Sequence, residues 1–451
     1  MELNAEFVRR TEQLFGNEIY SRFSQALDEE PVVSVRYNAR KHLACGSLSK
    51  VPWASNGYYL EARPAFTADP LFHAGCYYVQ EASSMFIEQV VKRYVSAPVK
   101  ALDLCAAPGG KSTHLLSLLP EGSMLVSNEP MPMRAQVLAE NVIKWGCPAS
   151  MVTKNMPADF ARFENCFDLV LVDAPCSGEG MFRKEPKAVE QWSVSNVEMC
   201  AERQREILAD IWPSLRPGGL LIYSTCTFNR EENEDNVRWI SENLGAEYLE
   251  ADMPEGVEIT GSLAGDDIPA YRFIPGMTAG EGFFMAALRK NGDSPAAQPR
   301  QARWQKAAAK QAAEAGKWIE TPERFEFVSD DDRLAALPKE HASMMMALKQ
   351  KLNVLHYGLP VAEVKNGKML PLHQLAMSFF LRKEAFRAVE VELEQALAYL
   401  HREALVFSSE PLGHLLLTYK GVPIGFVKNV GNRANNLYPA EWRIRKNPID
   451  L

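Results

Sequence analysis

Between residues 99 and 290 the chain alternates short apolar runs with segments whose apolar positions recur every three or four residues. Seven runs read as strands: VKALDLC (99–105), SMLVSNE (123–129), ASMVTKN (149–155), FDLVLVDAP (167–175), GGLLIYSTC (218–226), AEYLEAD (246–252) and GFFMAALRK (282–290). Continuous apolar runs of this length suit strands buried on both faces of a parallel sheet. The longer period predicts helices over Gly110–Leu119, Met133–Trp145, Gln204–Leu215 and Glu231–Leu244. Asn229 and Glu232 form an N-cap pair for the last helix, and Gly245 follows its end. The alternation predicts a doubly wound α/β sheet with helices on both faces, and the final strand fits an antiparallel insertion at its edge.

The flanking segments carry weaker patterns. Residues 1–97 read as an α+β region, with a helix near Ala5–Phe15, strands at Pro31–Asn38 and in GYYLEAR (57–63), extended Tyr77–Val79 and a helix over Ala82–Tyr94. A composition break rich in Ala, Gln and Pro marks residues 291–320 as a linker containing one helix, with Pro299 near its start and Gly316 after its end. Residues 321–451 form a smaller α+β domain. There Leu370–Leu381 and Ala385–Glu403 look helical, and His414–Val430 looks like a hairpin turning at Lys420–Gly421. The sheet domain itself spans 98–290.

Composition narrows the class. The chain has 451 residues, 47% hydrophobic and 24% charged, which suits two or three domains at about 150 residues each. It has no apolar run long enough to span a bilayer, and its first residues are acidic and amphipathic, so a cytoplasmic enzyme without a membrane partner is expected. All 8 cysteines fall between Cys45 and Cys226 without a CxxC pair, so neither a disulfide framework nor a metal site is expected. The net charge of −8 argues against a nucleic-acid partner, yet two segments oppose it. Arg289–Lys317 holds seven Lys or Arg against Asp293 and Glu314. Near the end, Lys420, Lys428, Arg433, Arg443, Arg445 and Lys446 stand against Glu441 and Asp450. Such segments either bind RNA through the local potential or form a solvated face.

The stretch LDLCAAPGGKSTHLL (102–116) ends like a triphosphate-binding loop but lacks its first glycine: Cys105 stands there, and Pro108 has no amide to offer a phosphate. Glu129 ends the second strand 26 residues after Asp103, where a carboxylate usually receives ribose hydroxyls. A nucleoside without pyrophosphate fits this pair better than a dinucleotide, and S-adenosylmethionine is such a ligand. DAPCSGEG (173–180) ends the fourth strand and STCTF (224–228) the fifth, which places Cys176 and Cys226 at one crevice beside Asp173. A methyl donor, thiols and a carboxylate together suit the C5 of a pyrimidine. A thiolate added to C6 makes C5 nucleophilic, while an acid near N3 takes up the charge, and Asp173 is placed for that role. Such a base must be extruded from folded RNA, and Arg183 and Lys184 would either hold the backbone beside it or be surface charge. His373 reads as a structural histidine.

LDLCAAPGGKSTHL, NEP, DAPCSGEGMFRK and YSTCTFNREENEDNV resemble the Nop/Sun family of RNA cytosine-C5 methyltransferases, closest to its bacterial RsmF type, whose substrate is small-subunit ribosomal RNA. GCYYVQEASSM and the last hundred residues resemble the same family, the latter its PUA-like RNA-binding extension. The resemblance implies a Rossmann-like methyltransferase sheet between RNA-binding flanks, with S-adenosylmethionine as cofactor. It implies Cys226 as nucleophile, Cys176 as the group that assists product release, Asp173 against the flipped cytosine and Lys111 lining the pocket. Cys105, Ala106, Ala107, Pro108, Gly109, Gly110, Lys111, Glu129 and Asp173 would border the cofactor. Relatives often carry an acidic residue after the third strand for the adenine amine; here Asn155 stands there, and its amide oxygen would accept that bond. The implied partner is ribosomal RNA, free or in the assembled subunit, bound by a monomer. Transfer RNA as substrate, a DNA enzyme with Cys176 as nucleophile, a nucleotide hydrolase and a non-enzymatic RNA-binding assembly factor are the alternatives.

Overall fold

The computed structural model describes residues 3–41, 48–265, 267–298 and 303–445. Cys45, Pro299 and Lys446 lie outside them. Three strands precede the main sheet: β1 (Val33–Tyr37), β2 (Gly57–Leu60) and β3 (Tyr77–Val79). Next come β4 (Lys100–Asp103), β5 (Met124–Asn128), β6 (Ser150–Thr153), β7 (Phe167–Asp173), β8 (Leu215–Thr225), β9 (Ala246–Leu249), β10 (Ala270–Phe273) and β11 (Phe283–Lys290). They form a sheet ordered β10-β11-β8-β7-β4-β5-β6, with β9 also paired to β11.

The strands from β8 to β6 are parallel. β11 runs antiparallel to β8 over Phe284–Arg289, the edge insertion that its sequence predicts. The chain lays β4, β5 and β6 in one direction, then returns to set β7 on the other side of β4. Loops therefore diverge at the carboxyl ends of β4 and β7 and leave a crevice, the usual ligand position in such sheets. Alternate residues of each strand feed opposite faces. Leu169 and Leu171 join one buried cluster with Ile87, Val90 and Val91, whereas Val170 and Val172 join another with Leu208 and Ile211. Two apolar faces explain why these strands read as unbroken apolar runs.

Several helices differ from their predicted spans. The first runs Ala5–Ala26, broken internally at Gly16 (φ 73°, ψ 166°), so its second half lies out of phase with the first. The helix predicted over 204–215 instead spans Val194–Ile211, capped by Ser193, with Val197, Cys200 and Ala201 of its early turns buried. The predicted Ala385–Glu403 helix divides into β17 (Arg387–Glu390) and a helix, Leu393–Leu400. Parallel pairing of β17 with the strand Gly413–Tyr419 uses the Ala388-Val389 alternation that also suits a helix.

Beyond residue 320 lie β12 (Phe325–Asp330), β13 (Arg333–Pro338), β14 (Val354–Tyr357), β15 (Leu359–Lys365) and β16 (Lys368–Pro371). Most of these form a separate four-stranded sheet. β14 instead pairs antiparallel with β6 and completes the far edge of the main sheet. The helix Ala342–Lys349 packs Met344, Met345 and Leu348 on the same core as Val170. The last sheet is β17-β18-β19-β20, with β18 (Gly413–Tyr419) and β19 (Val422–Asn429) as the predicted hairpin and β20 (Ala434–Asn436) at its edge. Val35 and Tyr77 share a buried cluster with Leu415, Leu417 and Tyr399, so the first and last sheets pack together. His373 is buried between Tyr438 and Trp442, and burial lowers its pKa to about 3, as a structural histidine requires. No described helix is long and apolar enough to cross a membrane.

Candidate functional site

The β4 strand ends at Asp103, whose side chain is wholly buried and accepts a hydrogen bond from Ser112 Oγ at 2.6 Å. Burial raises the Asp103 carboxyl to about 7, and its Oδ1 has no partner. The chain then turns through Gly109 at φ 116°, a left-handed conformation that favours glycine, and starts the helix Gly110–Leu118. Arg36 on β1 secures that helix, donating to Thr113 Oγ1 at 2.6 Å while its guanidinium lies over Trp145. Lys111 therefore projects from a fixed helix start. Its ammonium lies 2.8 Å from Asp173 Oδ2 and over the Phe283 ring. Burial opposes the Lys111 charge, but the Asp173 carboxylate outweighs it and raises the pKa. Asp173 also accepts from Ser224 Oγ at 2.7 Å, which joins the ends of β7 and β8.

Past those strand ends the two thiols meet. Cys176 Sγ and Cys226 Sγ are 3.1 Å apart, both unbonded to any third cysteine. The hydrogen bond with Cys226, then burial, raises the Cys176 pKa well above the ordinary thiol value. Either sulfur can donate in this contact, and the direction of the shift favours the thiol form of Cys176. Cys226 faces a cleft of about 420 Å³ shared with Asp103, Cys105–Pro108, Gly110, Lys111 and Asp173. Cys176 is not among the lining residues.

Gly109, Glu129 and Asn155 also lie outside that lining. Glu129, whose side chain is 3% exposed, accepts from Met131 N at 2.9 Å and lies 3.3 Å from Arg134 Nη1. Asn155 requires a correction. Its Oδ1 already accepts from Asn353 N at 3.0 Å and its Nδ2 donates to Asp159. The residue joins β6 to the segment leading into β14 instead of presenting a free acceptor. Arg183 is also corrected: it is buried against Glu281 at 2.9 Å and donates to Ala26 O and Gly280 O, so it is neither surface charge nor free for a phosphate. Lys184 does line the cleft mouth.

The sequence patterns missed two carboxylates that hold the cysteine loops. Glu179 accepts from Trp192 Nε1, Thr227 Oγ1, Phe228 N and Asn229 N at 2.6–2.9 Å. Glu232 accepts from Ser177 N at 3.0 Å and from Gln204 Nε2 and Asn229 Nδ2, each at 2.7 Å. Burial lifts Glu232 to about 7, against hydrogen bonds from Ser177 and Asn229 that favour its ionised form. Asn229 and Glu232 do bond each other, but the helix starts only at Glu234 with Asn233 at its N-cap, so the pair joins two loops instead of capping the helix. The available signal was the density of polar residues in GEG and NREEN, inside turns with no room for solvent.

Comparisons with known proteins agree with the fold. Residues 97–289 match the family model described as 16S rRNA methyltransferase RsmB/F. Residues 3–82 match the N-terminal domain of 16S rRNA methyltransferase RsmF, and 386–444 match the methyltransferase RsmF PUA domain. The ribosomal RNA small subunit methyltransferase F of Klebsiella pneumoniae (strain 342) is 32% identical, covering 87% of this chain and 84% of that protein. Its counterpart in Enterobacter sp. (strain 638) is 31% identical with the same coverage. A solved methyltransferase homolog from Pyrococcus horikoshii is 27% identical with a TM-score of 0.55, covering 64% of this chain and 95% of that one. With a Rossmann-like sheet between an RsmF-type N-terminal domain and a PUA domain, the chain belongs to the RsmB/F family of 16S rRNA methyltransferases, in its RsmF branch.

Proposed function

We propose that this protein transfers a methyl group from S-adenosylmethionine to C5 of a cytosine in small-subunit ribosomal RNA. The observation that carries the proposal is the Cys226 sulfur on the cleft lining, with the Cys176 sulfur 3.1 Å from it and the Lys111–Asp173 pair beside it. The cofactor's chemistry is an electrophilic methyl. The residues present fit it: Asp103 Oδ1 is a buried acceptor without a partner, suited to an ammonium group, and Glu129 ends the neighbouring strand where ribose hydroxyls bind.

Cys226 forms the bond to C6, and the electron pair displaced toward N3 is met by a proton from the Lys111–Asp173 pair, leaving C5 nucleophilic. With its sulfur bound to carbon, Cys226 no longer holds the Cys176 proton, which passes to solvent. Once C5 has taken the methyl from the donor, now a neutral thioether, Cys176 takes the proton from C5, N3 returns its proton to the Lys111–Asp173 pair, the C5–C6 double bond re-forms, and Cys226 leaves as thiolate. In the resting state Asp173 is paired with an ammonium, so the acid expected at N3 is this pair rather than a lone carboxylic acid. Bisulfite sequencing of 16S rRNA from a strain lacking the protein, beside its parent, tests the proposal: at least one protected cytosine should disappear. An unchanged pattern would overturn it.

A further inference from the structure

The Cys176 and Cys226 loops hang from separate strands, β7 and β8, whose pairing with each other ends at Asp173 and Ser224. What joins them is buried and polar. Glu179, on the Cys176 loop, accepts three donors from the Cys226 loop: Thr227 Oγ1, Phe228 N and Asn229 N. Glu232, beyond the Cys226 loop, accepts Ser177 N from the Cys176 loop and Gln204 Nε2, which also donates to Pro175 O at 2.9 Å. Ser177 Oγ and Thr227 Oγ1 meet at 2.8 Å, and Gly180 N donates to Cys226 O at 2.9 Å. Glu179 is 2% exposed and Glu232 is not exposed at all. Buried carboxylates of this kind cost desolvation and are strongly coupled to the donors they satisfy. Neither touches the cleft lining.

We propose that Glu179 and Glu232 are positioning residues for methyl transfer: a clasp of two carboxylates that holds the Cys176 and Cys226 sulfurs in contact. The inference rests on the cytosine-C5 function proposed above. Loss of the acceptor oxygens of either lets one loop relax from the other, so the cleft still binds cofactor and RNA while the thiols lose their register.

Glu232→Gln is the direct test. It keeps the shape, but whichever way its amide turns, an NH₂ faces Asn229 Nδ2 or the Ser177 N and Gln204 Nε2 donors. In the full-length protein, methyl incorporation from labelled cofactor into a 16S rRNA fragment should lose about tenfold or more in kcat. KM for RNA and affinity for S-adenosylhomocysteine should stay within about threefold of wild type, the split that separates chemistry from binding. Glu232→Asp, which retains the charge, should recover part of the loss. Thr227→Val, a milder change that removes one donor to Glu179, should lower kcat in the same pattern and serves where Glu232→Gln does not fold. Wild-type kcat in the Glu232→Gln and Thr227→Val proteins would overturn the clasp, as would kcat and cofactor affinity falling together. Tritium release from 5-labelled cytosine by the wild-type chain reports separately on the cytosine-C5 function, because its absence alongside methyl incorporation sinks that function while the kcat comparison still decides the clasp.

Discussion

Replacing Cys176 by Ala separates the two thiols. On the proposed mechanism a proton held by Cys176, its sulfur 3.1 Å from that of Cys226, supports negative charge on Cys226. A hydrogen bond to a charged group contributes about 1.5–3 kcal/mol, and each factor of ten in rate corresponds to about 1.4 kcal/mol. Cys176→Ala should therefore slow attack on RNA by about ten- to a hundredfold at neutral pH. The bond once formed should persist, because the base that removes the C5 proton is gone. A labelled 16S rRNA fragment should shift slowly into a protein-bound band on a denaturing gel, and the band should not clear. Raising the pH from 7 to 9 should recover most of the attack rate, since an unaided thiol titrates near about 8.5. Cys226→Ala should give neither band nor methylation. Peptide mapping names the attached residue. RNA on Cys176, or a band that survives Cys226→Ala and vanishes in Cys176→Ala, would refute the assignment and make this a DNA-type arrangement.

Glu129→Ala should weaken S-adenosylmethionine binding by about tenfold or more, read by calorimetry; unchanged affinity would reject Glu129 as the ribose acceptor. In the last domain, Arg402, Arg433 and Arg443 line a groove of about 490 Å³ with Asn435, and replacing all three by Ala should weaken RNA binding with cofactor affinity intact. The slope of log affinity against log salt should become shallower by about 0.9 for each phosphate that is no longer neutralised, and an identical slope would show that this groove does not face RNA. Deleting everything after residue 320 is a poorer test, because it also removes β14 from the main sheet. Acid should destabilise the fold. Burial lowers His73 and His373 to about 3 and His114 and His356 to about 4, so between pH 6 and 5 these four bind protons only when unfolded. Asp103 and Glu232, raised to about 7, bind theirs in the folded state and act in the opposite sense. Among these six groups the histidines outnumber the acids, so unfolding takes up protons and stability should fall by roughly 3 kcal/mol per pH unit, measured by denaturant unfolding at both pH values; greater stability at pH 5 would contradict it.

The strand runs, the GG turn and the two cysteine motifs were legible in the chain itself because each is a local matter. Apolar runs buried on two faces show no period, a glycine at φ 116° is needed wherever that turn occurs, and residues just past parallel strand ends share one crevice by topology. Local patterns also carried the β18–β19 hairpin, whose turn holds Lys420 and Gly421 at positive φ. They failed where an element's partner lies far off in sequence. Arg387–Glu390 alternates in a way that suits either state, and only the open edge of β18 made it a strand. β14 closes the sheet beside β6 from about 200 residues away, and its approach takes the oxygen that Asn155 would otherwise offer. Arg183 had the composition of a surface cation, but Glu281 and two carbonyls enclose it. Glu232 showed its pairing with Asn229, three residues away, but not its grip on Ser177, 55 positions earlier. Chemistry that depends on residue type was written in the sequence. Which carboxylates and arginines serve it depended on desolvation and donor geometry, and those exist only once β6, β7, β8 and β14 lie side by side.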